Sequence, residues 1–196
     1  MENAGSDADA PEGVALFVDG PNVLRDEFDV DLDDVRRAAE AKAAERDGQL
    51  ITVRLYLDEH ATPGLIQAAE ARGFEVVVTS GDVDVKLAVD ATRFVVENRM
   101  TSLAIASRDT DFKPVVEAAN RHGVRTIAIA PGEFGRSDAL RNAATDSLTL
   151  DGDLTFGNDD GDGEDEGTDA DGKNSDAETD GDGDDDPPTL HRDLGR

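Results

Sequence analysis

The chain is predicted to fold as α/β, with a doubly wound, mainly parallel sheet of about five strands and helices on both faces in a three-layer sandwich. Short apolar runs alternate with amphipathic stretches across residues 13–150. Those runs are continuous rather than alternating, as expected of strands buried on both faces. Breakers separate them at intervals that fit a helix between successive strands, the β-α-β-α signature of a doubly wound sheet.

In chain order, the strands are read at Val14 to Val18, Leu50 to Leu57, Phe74 to Val78, Ser102 to Ala106 and Val124 to Ala130. Helices are expected near Leu32 to Arg46, Pro63 to Arg72, Val83 to Asn98 and Phe112 to His122. They end at turns or breakers such as Gly48, Gly73 and Gly123. A short helix around Ser137 to Ala143 and a closing edge strand around Ser147 to Leu150 complete the domain. No internal repeat is evident.

The flanks have a different composition. Residues 1–12 are small, polar and acidic, and residues 151–196 are dominated by Asp, Gly, Glu and Thr. Neither buries enough apolar surface to offset chain entropy, so both are expected to be disordered around a single domain at 13–150. The tail carries 18 acidic residues against three basic ones, a net of −15, and residues 1–150 keep a net of −12. Lysine occurs four times, at Lys42, Lys86, Lys113 and Lys173, and Asp greatly outnumbers Glu. This composition resembles that of proteins from salt-accumulating haloarchaea. In molar salt the Debye length falls to ~3 Å, and self-repulsion at this charge becomes tolerable.

With no cysteine there is no disulfide, no thiolate nucleophile and no Cys-type zinc site. Three scattered histidines do not make a His-rich site, and His122, ahead of Gly123, fits a helix C-terminus. Hard, oxygen-ligated metal remains. No apolar run approaches the ~20 residues of a membrane span, and no signal pattern opens the chain, so a soluble, cytoplasmic protein is expected.

In open parallel sheets, ligands bind beyond the carboxyl ends of the strands, where strand order reverses. Asp19-Gly20-Pro21-Asn22 follows the first strand; it reads either as an Asx turn or as a carboxylate and a carboxamide at a site. Ser107-Arg108-Asp109-Thr110-Asp111 follows the fourth, with two carboxylates where a helix begins. Helix capping accounts for one of them. Asp84 falls in the first turn of the helix after the third strand, and Asp82 reads as its N-cap. Carboxylates converging from three strand ends need a cation or a proton. Asp90 lies about 120° and about 9 Å from Asp84 on an ideal helix, a weaker ligand position. Its spacing with Lys86, Arg93 and Glu97 instead predicts a solvated, ion-paired face.

The segments F-V-D-G-P-N, G-D-V-D-V-K-L-A-V-D and A-S-R-D-T-D-F, with a following G-V, resemble the three motifs of the NYN domain family of PIN-like nucleases. The resemblance covers about residues 13 to 150. It implies a PIN-like fold with the first and fourth strands adjacent, which puts Asp19 and Asn22 beside Asp109 and Asp111, with Asp84 completing an acidic cluster. Members are similar to metal-dependent ribonucleases. Two departures matter. The family often has Lys-Gly where this chain has Gly81-Asp82, which loses a cation, and Ser-Gly-Asp where it has Ser107-Arg108-Asp109, which gains one.

The expected chemistry is phosphodiester hydrolysis of RNA, single-stranded or structured, with Mg²⁺ or Mn²⁺ on carboxylate oxygens. Asp19, Asp84 and Asp109 are assigned as direct or water-mediated metal ligands, and Asp111 as a further ligand or a water-orienting base. Asn22 is assigned to position a water or a phosphate oxygen. Arg108, Lys86, Arg93 and Lys113 are candidate contacts to the RNA backbone, weighed against plain helix-surface charge. A non-catalytic domain of the same fold, binding RNA or protein, is the rival reading. A Toprim-like enzyme wants glutamate where Asp19 stands, and a phospho-aspartate phosphatase wants D-x-D there. The acidic tail reads as solvation, and homo-oligomerisation stays open.

Overall fold

The computed structural model describes residues 13–25, 30–97, 99–132 and 137–150. The acidic segments expected at 1–12 and 151–196 lie outside the described residues. The elements are β1 (Gly13–Asp19), α1 (Gly20–Val23), α2 (Leu32–Ala44), β2 (Gln49–Asp58), α3 (Pro63–Ala71), β3 (Glu75–Thr79) and α4 (Val83–Val96). They continue with β4 (Ser102–Ala106), a 3-10 turn (Thr110–Phe112), α5 (Lys113–Arg121), β5 (Arg125–Ala130), α6 (Asp138–Ala143) and β6 (Asp146–Thr149).

Six strands form one sheet in the order β3-β2-β1-β4-β5-β6, and every neighbouring pair is parallel. The expected closing edge strand is therefore a full sixth member. From β1 the chain builds outward through β2 to β3, then crosses back to lay β4 on the other side of β1. This reversal is the switch point at which open α/β sheets bind ligands.

Side-chain alternation along the strands splits the core in two. Val14, Leu16 and Val18 face α2 and α3, packing with Val35, Ala39 and Ala69. Ala15 and Phe17 face the other side, with Leu87 and Phe94 of α4, Val115 and Val116 of α5 and Leu140 of α6. Both sides of β1 are buried, which is why its sequence is an unbroken apolar run.

Caps set the helix ends. Asp31 and Asp34 form a reciprocal capping box on α2, Thr62 caps α3, and Asp82 caps α4 by accepting from the backbone of Asp84 and Val85. Gly73 and Gly123, with φ of 80° and 77°, follow α3 and α5 as left-handed terminators. The helix expected from Phe112 starts instead at Lys113, after the 3-10 turn, because Asp109 caps that turn first.

Candidate functional site

Asp19 is the last residue of β1 and has no exposed surface. Phe17 points into the α4–α5 side, so Asp19, two residues on, points to that side as well. The Ser107 hydroxyl, directly after β4, donates to Asp19 Oδ2 at 2.7 Å, and the Asn22 side-chain amide donates to the same oxygen at 2.6 Å. The other oxygen, Oδ1, is buried without a hydrogen-bond partner. Burial pushes the Asp19 carboxyl above its ordinary value; the Ser107 and Asn22 donors pull it down, and the Asp109 charge adds to the rise.

Close packing explains the glycine in this motif. A Cβ at Gly20 would lie 2.6 Å from the Tyr56 carbonyl oxygen and 2.5 Å from Leu57 Cδ2, so only glycine lets the turn lie against β2. Pro21 then opens α1 where its missing N–H costs nothing. Asn22 is thereby returned to Asp19.

Two helix starts flank this carboxylate. Asp84 lies half-buried in the first turn of α4, behind its cap Asp82. Asp109 caps the 3-10 turn, accepting from the Asp111 backbone at 2.9 Å, while its own N–H donates to Ser107 Oγ at 3.0 Å. Ser107 thus links Asp19 to Asp109. Burial first, and then the charges of Asp19, Asp109, Asp82 and Asp111, raise the Asp84 carboxyl from 3.8 to about 6. Capping and clustering therefore coexist, with Asp82 and Asp109 serving as caps while still acting on Asp84. Among the described residues, no three carboxylates stand close enough to enclose an ion unaided.

Of the four cationic candidates, Arg108 reaches the cluster, its Nε donating to Asn22 Oδ1 at 3.2 Å. The other three lie in i,i+4 pairs on helices: Lys86 with Asp90 at 2.8 Å, Arg93 with Glu97 at 3.1 Å and Lys113 with Glu117 at 3.6 Å. The solvated face expected around Asp90 needs correction. Asp90 is only 8% exposed and accepts from the Tyr56 hydroxyl at 3.1 Å as well as from Lys86. It belongs to the buried stripe of α4, one turn from Leu87 and Phe94, and its extra partner comes from β2. Burial and the adjacent Asp90 hold the Tyr56 hydroxyl well above its ordinary pKa. Ser107 and Tyr56 were not among the expected site residues. The available signal for Ser107 was a small hydroxyl directly after the strand that neighbours β1.

Residues 13–151 match the NYN domain family. The chain belongs to the NYN domain family. NYN domains have a PIN-like nuclease fold and are generally RNA-associated, and the nucleases among NYN and PIN-like proteins typically use divalent metals. The NYN chain is 40% identical over 131 residues to an uncharacterized protein of Methanocaldococcus jannaschii, covering 67% of this chain and 52% of that one. It thus spans about half the length of the curated relative it matches. It also resembles the crystal structure of a protein of unknown function from Vibrio parahaemolyticus. That likeness has a TM-score of 0.59 and 21% identity, over 74% of this chain and 96% of that one, and concerns the fold. No helix among the described residues is long and apolar enough to cross a membrane.

Proposed function

We propose that this NYN domain is a metal-dependent ribonuclease hydrolysing RNA phosphodiester bonds at the Asp19 cluster, in a cytoplasm of high salt. The observation carrying this reading is the buried, unpartnered Oδ1 of Asp19 at the switch point of the sheet. An ionisable oxygen left without a donor is costly unless a cation or a proton completes it, and at a strand-end cluster of carboxylates a cation serves several of them at once. The donor set fits Mg²⁺ or Mn²⁺, which prefer carboxylate oxygen; Mg²⁺ keeps several waters, so the open spacing of the carboxylates suits water-mediated holding. Asp19, Asp84 and Asp109 would hold the ion, with Asp111 beside them. When bound, it would neutralise phosphate charge and make a bound water more acidic.

The chain's own residues do the rest. Ser107 and Asn22 fix the Asp19 carboxylate, and the cap bond from the Asp111 backbone fixes Asp109. Asp84, raised to about 6 by burial and its like-charged neighbours in the metal-free cluster, would be held ionised by a cation there, beside the water that attacks the phosphate. Asp111 orients that water. Arg108, held by Asn22, offsets phosphate charge in a site otherwise lined with acids.

The test is cleavage of labelled RNAs and single-stranded DNAs in molar salt with Mn²⁺ or Mg²⁺, with EDTA as blank. Intact protein is compared with an Asp19→Asn/Asp109→Asn variant. Metal-dependent RNA cleavage that the double variant lacks supports the reading. Failure of the intact protein to cleave any substrate, with Mn²⁺ binding still measurable by calorimetry, overturns it. That outcome favours a non-catalytic RNA- or protein-binding domain, a reading supported by Gly81-Asp82 standing where the family often has Lys-Gly.

A further inference from the structure

Asp90 takes no part in the proposed chemistry, yet it is buried on the helix that carries Asp84, in one stripe with Val83, Leu87, Ala91, Phe94 and Val95. For packing alone an acid is a poor choice there, since apolar residues in place of a buried charge pair are often neutral or stabilising. Its partners come from two elements. Lys86, one turn back on α4, donates to both carboxylate oxygens at 2.8 and 2.9 Å. The Tyr56 hydroxyl of β2 donates to Oδ2 at 3.1 Å, and Arg54 Nη1, on the same strand, lies 3.7 Å away. The Lys86 bonds stay within α4, whereas the Tyr56 bond crosses from helix to sheet.

Tyr56 is tied to the cluster at its other end. It is the register partner of Asp19 on the neighbouring strand, and its carbonyl oxygen is an atom that leaves no room for a Cβ at Gly20. Its ring stacks on Phe17, two residues before Asp19, at 5.9 Å between centroids. Asp84 stands six residues before Asp90 on α4, about 9 Å along the axis. The first turn of that helix brings Asp82 and Asp84 within reach of the charges of Asp19, Asp109 and Asp111. With no cation bound, like charges push the start of α4 off the rim of the sheet. Burial of Leu87 and Phe94 is non-directional and does not by itself set the height of the helix. A directed bond to β2 does.

We infer that Tyr56 and Asp90 are positioning residues of the candidate site: their bond ties α4 to the strand beside Asp19 and so sets the Asp19–Asp84 spacing on which a shared cation depends. The inference rests on the proposed reading of those two carboxylates as holders of one ion. The restraint matters most when no cation is bound and salt is low, because the Debye length is about 10 Å in 0.1 M salt and about 3 Å in molar salt.

Two measurements on the full chain test it. The chain has no native cysteine, so spin labels at Ile51→Cys on β2 and Val85→Cys on α4, both exposed positions, report the height of α4 over the sheet by pulsed electron resonance. They are read in metal-free buffer, at the lowest salt at which circular dichroism shows the chain folded and again in molar salt. At the lower salt Tyr56→Phe lengthens the distance by about 1–2 Å, the size of ordinary helix shifts, and molar salt shrinks the change. Asp90→Asn, whose carboxamide oxygen still accepts from Tyr56, keeps the wild-type distance. Thr126→Val removes a buried hydroxyl at the far end of β5 and controls for general loss of stability; it keeps that distance too. Calorimetry in molar salt then finds Mn²⁺ bound about tenfold more weakly by Tyr56→Phe than by wild type or Thr126→Val. The inference is overturned by a distance that Tyr56→Phe leaves unchanged, by an equal change in Thr126→Val, or by Mn²⁺ bound as tightly in Tyr56→Phe as in wild type. A wild-type chain that binds no Mn²⁺ while the distance shifts as expected sinks the proposed cation site instead, and the Tyr56–Asp90 bond keeps its hold on the spacing.

Discussion

Ser107 and Asp19, 88 residues apart in sequence, are joined by a 2.7 Å hydrogen bond across the β1–β4 boundary, and the same Ser107 oxygen receives the Asp109 backbone N–H. One hydroxyl therefore holds two carboxylates of the cluster in register. Ser107→Ala removes a donor from a buried carboxylate and an acceptor from a backbone amide. It should cost about 1–3 kcal/mol, read from denaturant unfolding. Carbon-detected NMR titration should also place the Asp19 carboxyl higher than in the wild type, because the Ser107 hydroxyl that stabilises its ionised form against burial is gone.

The Asp84 carboxyl gives the site a pH signature. Its folded value, about 6, lies above the ordinary 3.8, so the folded chain holds the proton more tightly than the unfolded one. The stability tied to that proton is fully present below 3.8 and is lost as pH rises through 6. In metal-free buffer the urea midpoint should fall across this window, and Asp84→Asn should flatten the fall. If the cluster holds the proposed cation, added Mn²⁺ or Mg²⁺ should favour the ionised form and restore the midpoint above pH 6 in wild type but not in the variant. A midpoint that rises across the window in metal-free wild type would contradict the placement of Asp84 among like charges.

The Asp90–Tyr56 contact calls for unequal effects from its members. Asp90 is buried and serves Tyr56 and Lys86 together, with Arg54 Nη1 3.7 Å away, whereas the Lys86 side chain is 43% exposed. Asp90→Ala should destabilise by roughly 2–4 kcal/mol, since it leaves the Tyr56 hydroxyl without its acceptor and takes a carboxylate from Arg54 and Lys86 together. Lys86→Ala should cost less than about 1 kcal/mol, because a half-exposed pair contributes little. Equal losses in thermal or chemical unfolding would put Asp90 back on a solvated face.

The parallel strands were legible because burial on both faces leaves unbroken apolar runs, and β4 was read with the bounds the structure has, Ser102 to Ala106. Asp19, Asp109 and Asp82 were legible because strand ends and helix caps are local features. Asp90 was not: Lys86 and Arg93, four and three residues away, suggest a charged face, whereas Leu87 and Phe94 at the same spacings put it on the buried stripe, and the groups that draw it inward, Tyr56 and Arg54, lie on another element. Gly20 was legible as a turn residue, but its physical reason, a carbonyl 2.6 Å from where a Cβ would stand, depends on the β1–β2 pairing. Gly20→Ala accordingly should cost about 1–3 kcal/mol in unfolding experiments and, if the proposed cation binds there, weaken it by displacing Asn22 and Asp19.

Arg108 and Lys86 should part company in RNA binding. Arg108 sits on the acidic cluster against Asn22, at the place where phosphate would approach carboxylates. Lys86 is bound through both oxygens of a buried carboxylate, so a phosphate contact there must first break that pair. If the cluster is the RNA site, Arg108→Ala should weaken binding of a single-stranded RNA and reduce the slope of log affinity against log salt by about 0.7, the loss of one phosphate contact on a single strand. Lys86→Ala should leave the slope within error. Fluorescence anisotropy with the Asp19→Asn/Asp109→Asn background, in Mg²⁺ buffer from low to molar salt, separates binding from cleavage. An unchanged slope in Arg108→Ala would move the RNA path away from the β1–β4 rim, even if cleavage there were established.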